Sequence, residues 1–211
     1  MTDNTAPRIL HPYPGMAWTE IRAAAVDLAE HGWPVLTGTY QLAQHAGWLG
    51  KPNATGLEPV DEFWTSATTT DPAVALEWWS RRPYSVLLAC GTGIDALEVP
   101  TSHGDRALAD LRSTGHLGPI AVTPVGTWLL FVRSESPLLP ELTRRAHALL
   151  HADGKWVALP PTTQAQRPYR WRISPTAAGW SLPHSMSVQQ ALVTALDHAP
   201  PVRPAAATTT S

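Results

Sequence analysis

Proline sets the scale of what this chain can build. It stands at 21 of 211 positions, with glycine at 14 more. Each proline lacks the amide hydrogen that a helix interior or a central strand would use. Such a chain cannot form a bundle of long helices; it is expected to form many short elements packed in layers. Hydrophobic residues make up 44 % of the chain and charged residues 15 %. The charged share lies below the roughly 25 % of ordinary soluble chains, and the apolar share is enough for a real core. At this length one domain is expected, with room for two lobes.

The 15 lysines and arginines are set against 17 acids, for a formal charge of -2. Nonspecific affinity for nucleic acid scales with the phosphates that Lys and Arg neutralise, so this is not a general polyanion binder, although a local basic groove stays open. Cys90 is the only cysteine, which excludes an intramolecular disulfide and a multi-cysteine zinc site. It closes the apolar run Ser85–Cys90, where a free thiol behaves as a small buried hydrophobe. No apolar run approaches the ~18 residues of a membrane span, and Met1 to Pro14 has no signal-peptide core. A cytoplasmic protein without a membrane partner is expected.

Residues 1–15 read as a flexible lead and 16–198 as the folded domain; 199–211 read as a disordered Pro/Ala/Thr tail. Ile21, Ala24, Ala25, Leu28 and Ala29 repeat at three and four, predicting a helix from about Ala17 to His31 that Gly32 stops. Trp33 to Leu36 follows as a short strand, and 38–70 as a long loop. Asp71-Pro72 is a helix start, with Asp as cap and Pro in the first turn. Tyr84 to Ala89 and Ile94 to Val99 are strands around the turn Gly91-Thr92-Gly93, and His103 to Ser113 is a helix. Residues 120–123 and 128–132 form a hairpin. Leu138 to Leu150 reads as a helix, Lys155 to Leu159 and Tyr169 to Ile173 as strands, and Ser187 to His198 as a last helix. This order fits an α/β or an α+β domain with mixed sheets, and the α+β class is the expectation.

Few residues offer chemistry. Gly91-Thr92-Gly93 is a turn rather than a dinucleotide fingerprint, because a strand and not a helix follows it. Asp95 and Glu98, three apart in a strand, point to opposite faces and cannot share a metal pair, which needs several carboxylates close together. His147 and His151, four apart near a helix end, could share a helical face and hold a metal, but ordinary surface histidines are the simpler reading. Of the adjacent pair Trp78-Trp79, one ring can pack inward while the other faces the rim. Beside Arg81 and Arg82, that outer ring could serve as a base-stacking platform. Arg170 and Arg172, alternating in one strand, make a possible basic edge, and Lys51 is a loop cation able to meet a phosphate.

Taken in order, these segments resemble the N-terminal domain of bifunctional DNA primase/polymerases, the prim-pol branch of the archaeo-eukaryotic primases. The resemblance runs over about residues 17–173. It is carried by Gly32-Trp33-Pro34-Val35, Lys51-Pro52, Ala67 to Pro72, Trp78-Trp79 with Pro83, and Gly93 to Val99. It continues through Gly104 with Leu108 and Leu111, Thr123-Pro124 with Gly126, Gly154 with Trp156-Val157, Pro160-Pro161, and Tyr169 with Trp171. It implies a two-lobed domain with an RRM-like catalytic-type lobe, whose active members bind divalent metals and nucleoside triphosphates and make or extend nucleic-acid strands. It also implies where the chemistry should stand. Glu98 falls at the first acid of an alternating pair, and Pro100 replaces the second. Leu129 falls at a phosphate-contacting histidine, and Leu149 at a third acid.

The expectation is therefore a prim-pol-like protein with a degenerate, catalytically inactive site and a binding or regulatory role. Glu98 is its one retained catalytic carboxylate. Lys51, Asp71, Trp78, Arg81, Arg82, Arg170 and Arg172 are candidates for nucleotide or nucleic-acid contact. No resident metal or cofactor is expected; the partners would be DNA, a nucleotide, or a replication or regulatory protein. Two other readings stand beside it. One is an active primase/polymerase using Glu98, non-standard acids and Mg²⁺ or Mn²⁺; the other is a protein-interaction scaffold.

Overall fold

The computed structural model describes residues 14–42, 45 and 47–198. The expected flexible lead and tail fall outside these residues, except that Pro14 and Gly15 open the first helix instead of preceding it.

In chain order the elements are α1 (Pro14–Glu30), β1 (Val35–Gly38), α2 (Pro72–Arg81), β2 (Ser85–Ala89), β3 (Ile94–Pro100) and α3 (Thr101–Ser113). Then follow β4 (Ile120–Val122), β5 (Thr127–Arg133), α4 (Pro140–Ala146), β6 (Leu149–His151) and β7 (Trp156–Ala158). The chain closes with β8 (Thr163–Gln164), β9 (Arg167–Pro168), β10 (Arg170–Ile173) and α5 (Ser185–Asp197). The fold is α+β, as expected.

The smaller lobe joins α1 and α2 to a three-stranded sheet in the order β1-β2-β7. Its helices form where the pattern places them. Ala25, Leu28 and Ala29 bury one stripe of α1. Asp71 caps α2 by accepting a hydrogen bond from the Ala73 amide at 2.8 Å, and Trp79, one turn beyond Ala75, is fully buried. The long loop contains no helix among its described residues and is pinned by bridges at Val35–Thr69, Gly38–Pro59 and Tyr40–Leu49.

The larger lobe is a five-stranded sheet in the order β10-β4-β5-β3-β6. From β3 to β6 the chain runs strand, helix, strand, strand, helix, strand, the split βαβ arrangement of RRM-like domains. Period-two alternation divides its residues between two cores. Leu97, Val99, Trp128, Leu130 and Val132 pack on the side of α3, α4 and α5. Ile94, Ala96, Ala121, Leu129 and Phe131 pack on the other side, against Trp33, Trp79, Val86 and Leu88 of the smaller lobe. One apolar core thus joins the lobes.

Four expectations need correction. The sheets are not mixed: every strand pair among the described residues is antiparallel. The crossover through α3 lands β4 two strands from β3, and β5 fills the gap, so parallel neighbours never meet. Second, the helix expected from Leu138 to Leu150 ends at Ala146, because His147 takes the left-handed conformation at φ 50°; Leu149 to His151 then pair with β3. Helical spacing of leucines could not reveal that edge pairing. Third, the β8–β9 hairpin was not expected. Its two loop residues, Ala165 and Gln166, both have positive φ (49° and 61°), the geometry usually announced by Asn-Gly. Fourth, the register of β10 shifts between Trp171 and Ile173. Trp171 therefore joins the inter-lobe core while Ile173 packs on the helix side.

No helix among the described residues is long and apolar enough to cross a membrane.

Candidate functional site

Glu98 lies on β3, on the face turned towards the smaller lobe. Seven consecutive pairs, from Ile94 with Arg133 to Pro100 with Thr127, tie β3 to β5 without a bulge. Directly opposite residues of an antiparallel pair share a face. Glu98 pairs with Leu129 on β5 and with Leu149 on β6. The three positions to which the resemblance assigned acid, histidine and acid are thus neighbours across three strands, but two carry leucine. Pro100 stands two residues along on the same face, at the fourth.

Each oxygen of the Glu98 carboxylate has a partner. Thr127 Oγ1 donates to Oε1 at 2.7 Å, and Thr127 Oγ1 lies 2.7 Å from Thr123 Oγ1. His151 Nε2 lies 2.7 Å from Oε2. An ionised carboxylate only accepts, so Nε2 carries the hydrogen. The His151 hydrogen bond, more than the opposing effect of burial, holds the Glu98 carboxyl below the usual carboxylate range, and Thr127 adds to it. Tyr169 is close enough to feel that charge: burial first, and then Glu98, push its phenol up to about 12. It donates to Gln164 Oε1 at 3.1 Å.

From sequence, His151 is a candidate only together with His147, as a possible metal pair, and not as a partner of Glu98. It is two residues from Leu149 in an alternating strand and pairs with Ala96, so it stands diagonal to Glu98. His147 sits at the end of α4, so the two histidines do not share a helical face. Asp95 faces away from Glu98. It is 3 % exposed and accepts from Ser134 Oγ at 2.6 Å and from the Gly91 amide at 3.1 Å. The unbroken β3–β5 register leaves it there. Among the described residues no group of three or more His, Cys, Asp or Glu side chains gathers around one point. The two-metal arrangement of active relatives needs several convergent carboxylates, and Glu98 with its two internal partners does not fit it.

The chain from residue 25 to 185 matches the family description "Bifunctional DNA primase/polymerase, N-terminal". The chain belongs to this family. No curated protein and no solved structure gives a significant match to it.

The other expected site residues of this prim-pol domain fall into three groups. Lys51 and Arg82 lie near one pair of rings. Tyr40 and Tyr84 pack edge-on at 5.7 Å, and a Cβ at Gly50 would lie 3.5 Å from both. Yet Lys51 Nζ is held by Glu58 at 2.9 Å, and Arg82 donates to the Tyr40 hydroxyl at 3.5 Å. Asp71, Trp78 and Arg81 belong to α2. Asp71 is its cap, Trp78 is half-buried beside fully buried Trp79, and Arg81 pairs with Glu77. Arg170 and Arg172 belong to β10. Arg170 pairs with Val122, Val122 with Trp128, and Trp128 with Val99, so Arg170 registers on the face opposite Glu98. The Arg172 guanidinium lies 5.8 Å over the Trp128 ring, on that same far side. The structure does not gather the seven candidates into one basic cleft.

Proposed function

We propose that this prim-pol domain has given up nucleotidyl transfer and acts as a binding or regulatory module that engages nucleic acid. One observation carries the reading: Glu98 stands in register between Leu129 and Leu149, with Pro100 beyond it. Its carboxylate is bound by Thr127 and His151 of its own chain. Such a site lacks the charges that would hold metal-bridged triphosphate and balance its charge. The nucleic-acid role is supported by the family to which the chain belongs and by arginines that remain on its surface.

The test is strand synthesis on primed and unprimed single-stranded templates, with labelled nucleotides and either Mg²⁺ or Mn²⁺. Wild type and Glu98→Gln should both give only background incorporation. Metal-dependent incorporation by the wild type that vanishes in Glu98→Gln would overturn the loss of catalysis. Retention of a labelled oligonucleotide by the purified chain checks the binding role.

A further inference from the structure

Between Asp153 and Asp197 the chain contains no acidic residue, and its formally charged side chains there are Lys155, Arg167, Arg170 and Arg172. Three of the four fall in one extended run through β9 and β10. Arg167, Arg170 and Arg172 are all exposed, and β10 is an outer strand of the five-stranded sheet. Among the described residues none of the three has a carboxylate partner. Most cations elsewhere are neutralised or mixed with acids. Lys51, Arg81, Arg133 and Arg145 are paired with Glu58, Glu77, Glu135 and Glu141. Arg106 and Arg112 share α3 with Asp105 and Asp110.

From these observations we infer that the outer strand β10, through Arg170 and Arg172, is a phosphate-binding surface for a single nucleic-acid strand, on the far side of the sheet from Glu98. The inference rests on the nucleic-acid part of the proposed function and moves the contact to a different place. A line of cations along an extended strand, two residues covering about 6.6 Å, matches one phosphodiester chain. A duplex is usually read by a helix or a two-stranded ribbon that enters its major groove, and the two-residue strands of the β8–β9 hairpin are too short for that. The cleft face is the poorer choice for phosphate, because the ionised Glu98 repels an anion at short range. Arg172 is also held in place: stacking over Trp128, itself 2 % exposed, fixes its guanidinium at the edge.

The full chain is titrated with a labelled single-stranded oligonucleotide and with the matching duplex at several salt concentrations. The comparison covers wild type, Arg170→Ser/Arg172→Ser, and Arg144→Ser, which removes an exposed cation of α4. The double variant should bind the single strand about fivefold or more weakly, with the slope of log affinity against log salt reduced by about 1.4. Arg144→Ser should bind about as the wild type does. Arg172→Lys, which keeps the charge over Trp128, should retain most of the affinity, and a thermal melt of each variant separates lost binding from lost fold. If the wild type binds neither nucleic acid, both this inference and the nucleic-acid role fall. If it binds but the folded double variant binds equally well, or if duplex is preferred, the inference alone falls.

Discussion

Glu98 is held by two side chains that lose a partner if it is removed. Hydrogen bonds to a charged group contribute roughly 1.5–3 kcal/mol each in net terms. The site is partly open to solvent, with the Glu98 side chain 21 % exposed, so the lower end applies. Glu98→Ala should destabilise the protein by about 1–3 kcal/mol in urea unfolding, and Glu98→Gln by less. The pH dependence has a definite sign. Because folding lowers the carboxyl pKa, its contribution is complete above the unfolded value near about 4.3. It is lost as pH falls through the lower folded value. Unfolding free energies of wild type and Glu98→Gln should therefore differ most near neutrality and converge in acid. A difference that grows in acid would contradict this account of Glu98.

At the scale of elements, the contact between α3 and β5 leaves little tolerance. A Cβ placed on Gly104 would fall 2.3 Å from the Trp128 ring, and that ring is buried in the helix-side core with Arg172 above it. An indole cannot turn aside in a close-packed interior. Gly104→Ala should cost about 1–3 kcal/mol through overpacking, despite alanine's better helix propensity, and the thermal midpoint of the variant would show it. An alanine at an exposed site of α3, Ser102→Ala, should be nearly neutral. Much at this scale was legible beforehand. The stripe on α1, the Asp71 cap and the β4–β5 hairpin follow from local spacing and turn chemistry. The β8–β9 hairpin was not legible, because Ala165-Gln166 carries no residue that favours positive φ. The end of α4 was missed because leucines at 142, 149 and 150 suit a helix as well as a helix followed by a strand.

For the whole molecule, one core runs between the lobes. Cys90 lies within it, 3 % exposed, where burial first and Asp95 second push its thiol up to about 12. The native protein should react very slowly with a thiol reagent near pH 8, whereas the unfolded chain should release one equivalent at once. Rapid native labelling would mean that the lobes separate readily.

By itself the sequence indicated the order of short elements and the α+β class, and its resemblance to the family led to the expectation that proline and leucine stand at catalytic positions. Those are properties of local periodicity and of residue identity along an ordered set of segments. Only the tertiary structure decided that Leu129 and Leu149 flank Glu98, that His151 closes on its carboxylate, and that Arg170 and Arg172 stand on the opposite face. The Glu98 contacts join residues 29 and 53 positions apart. Alternation tells which residues of one strand share a face. Which strand lies beside it, and in what register, is set by packing across the whole sheet.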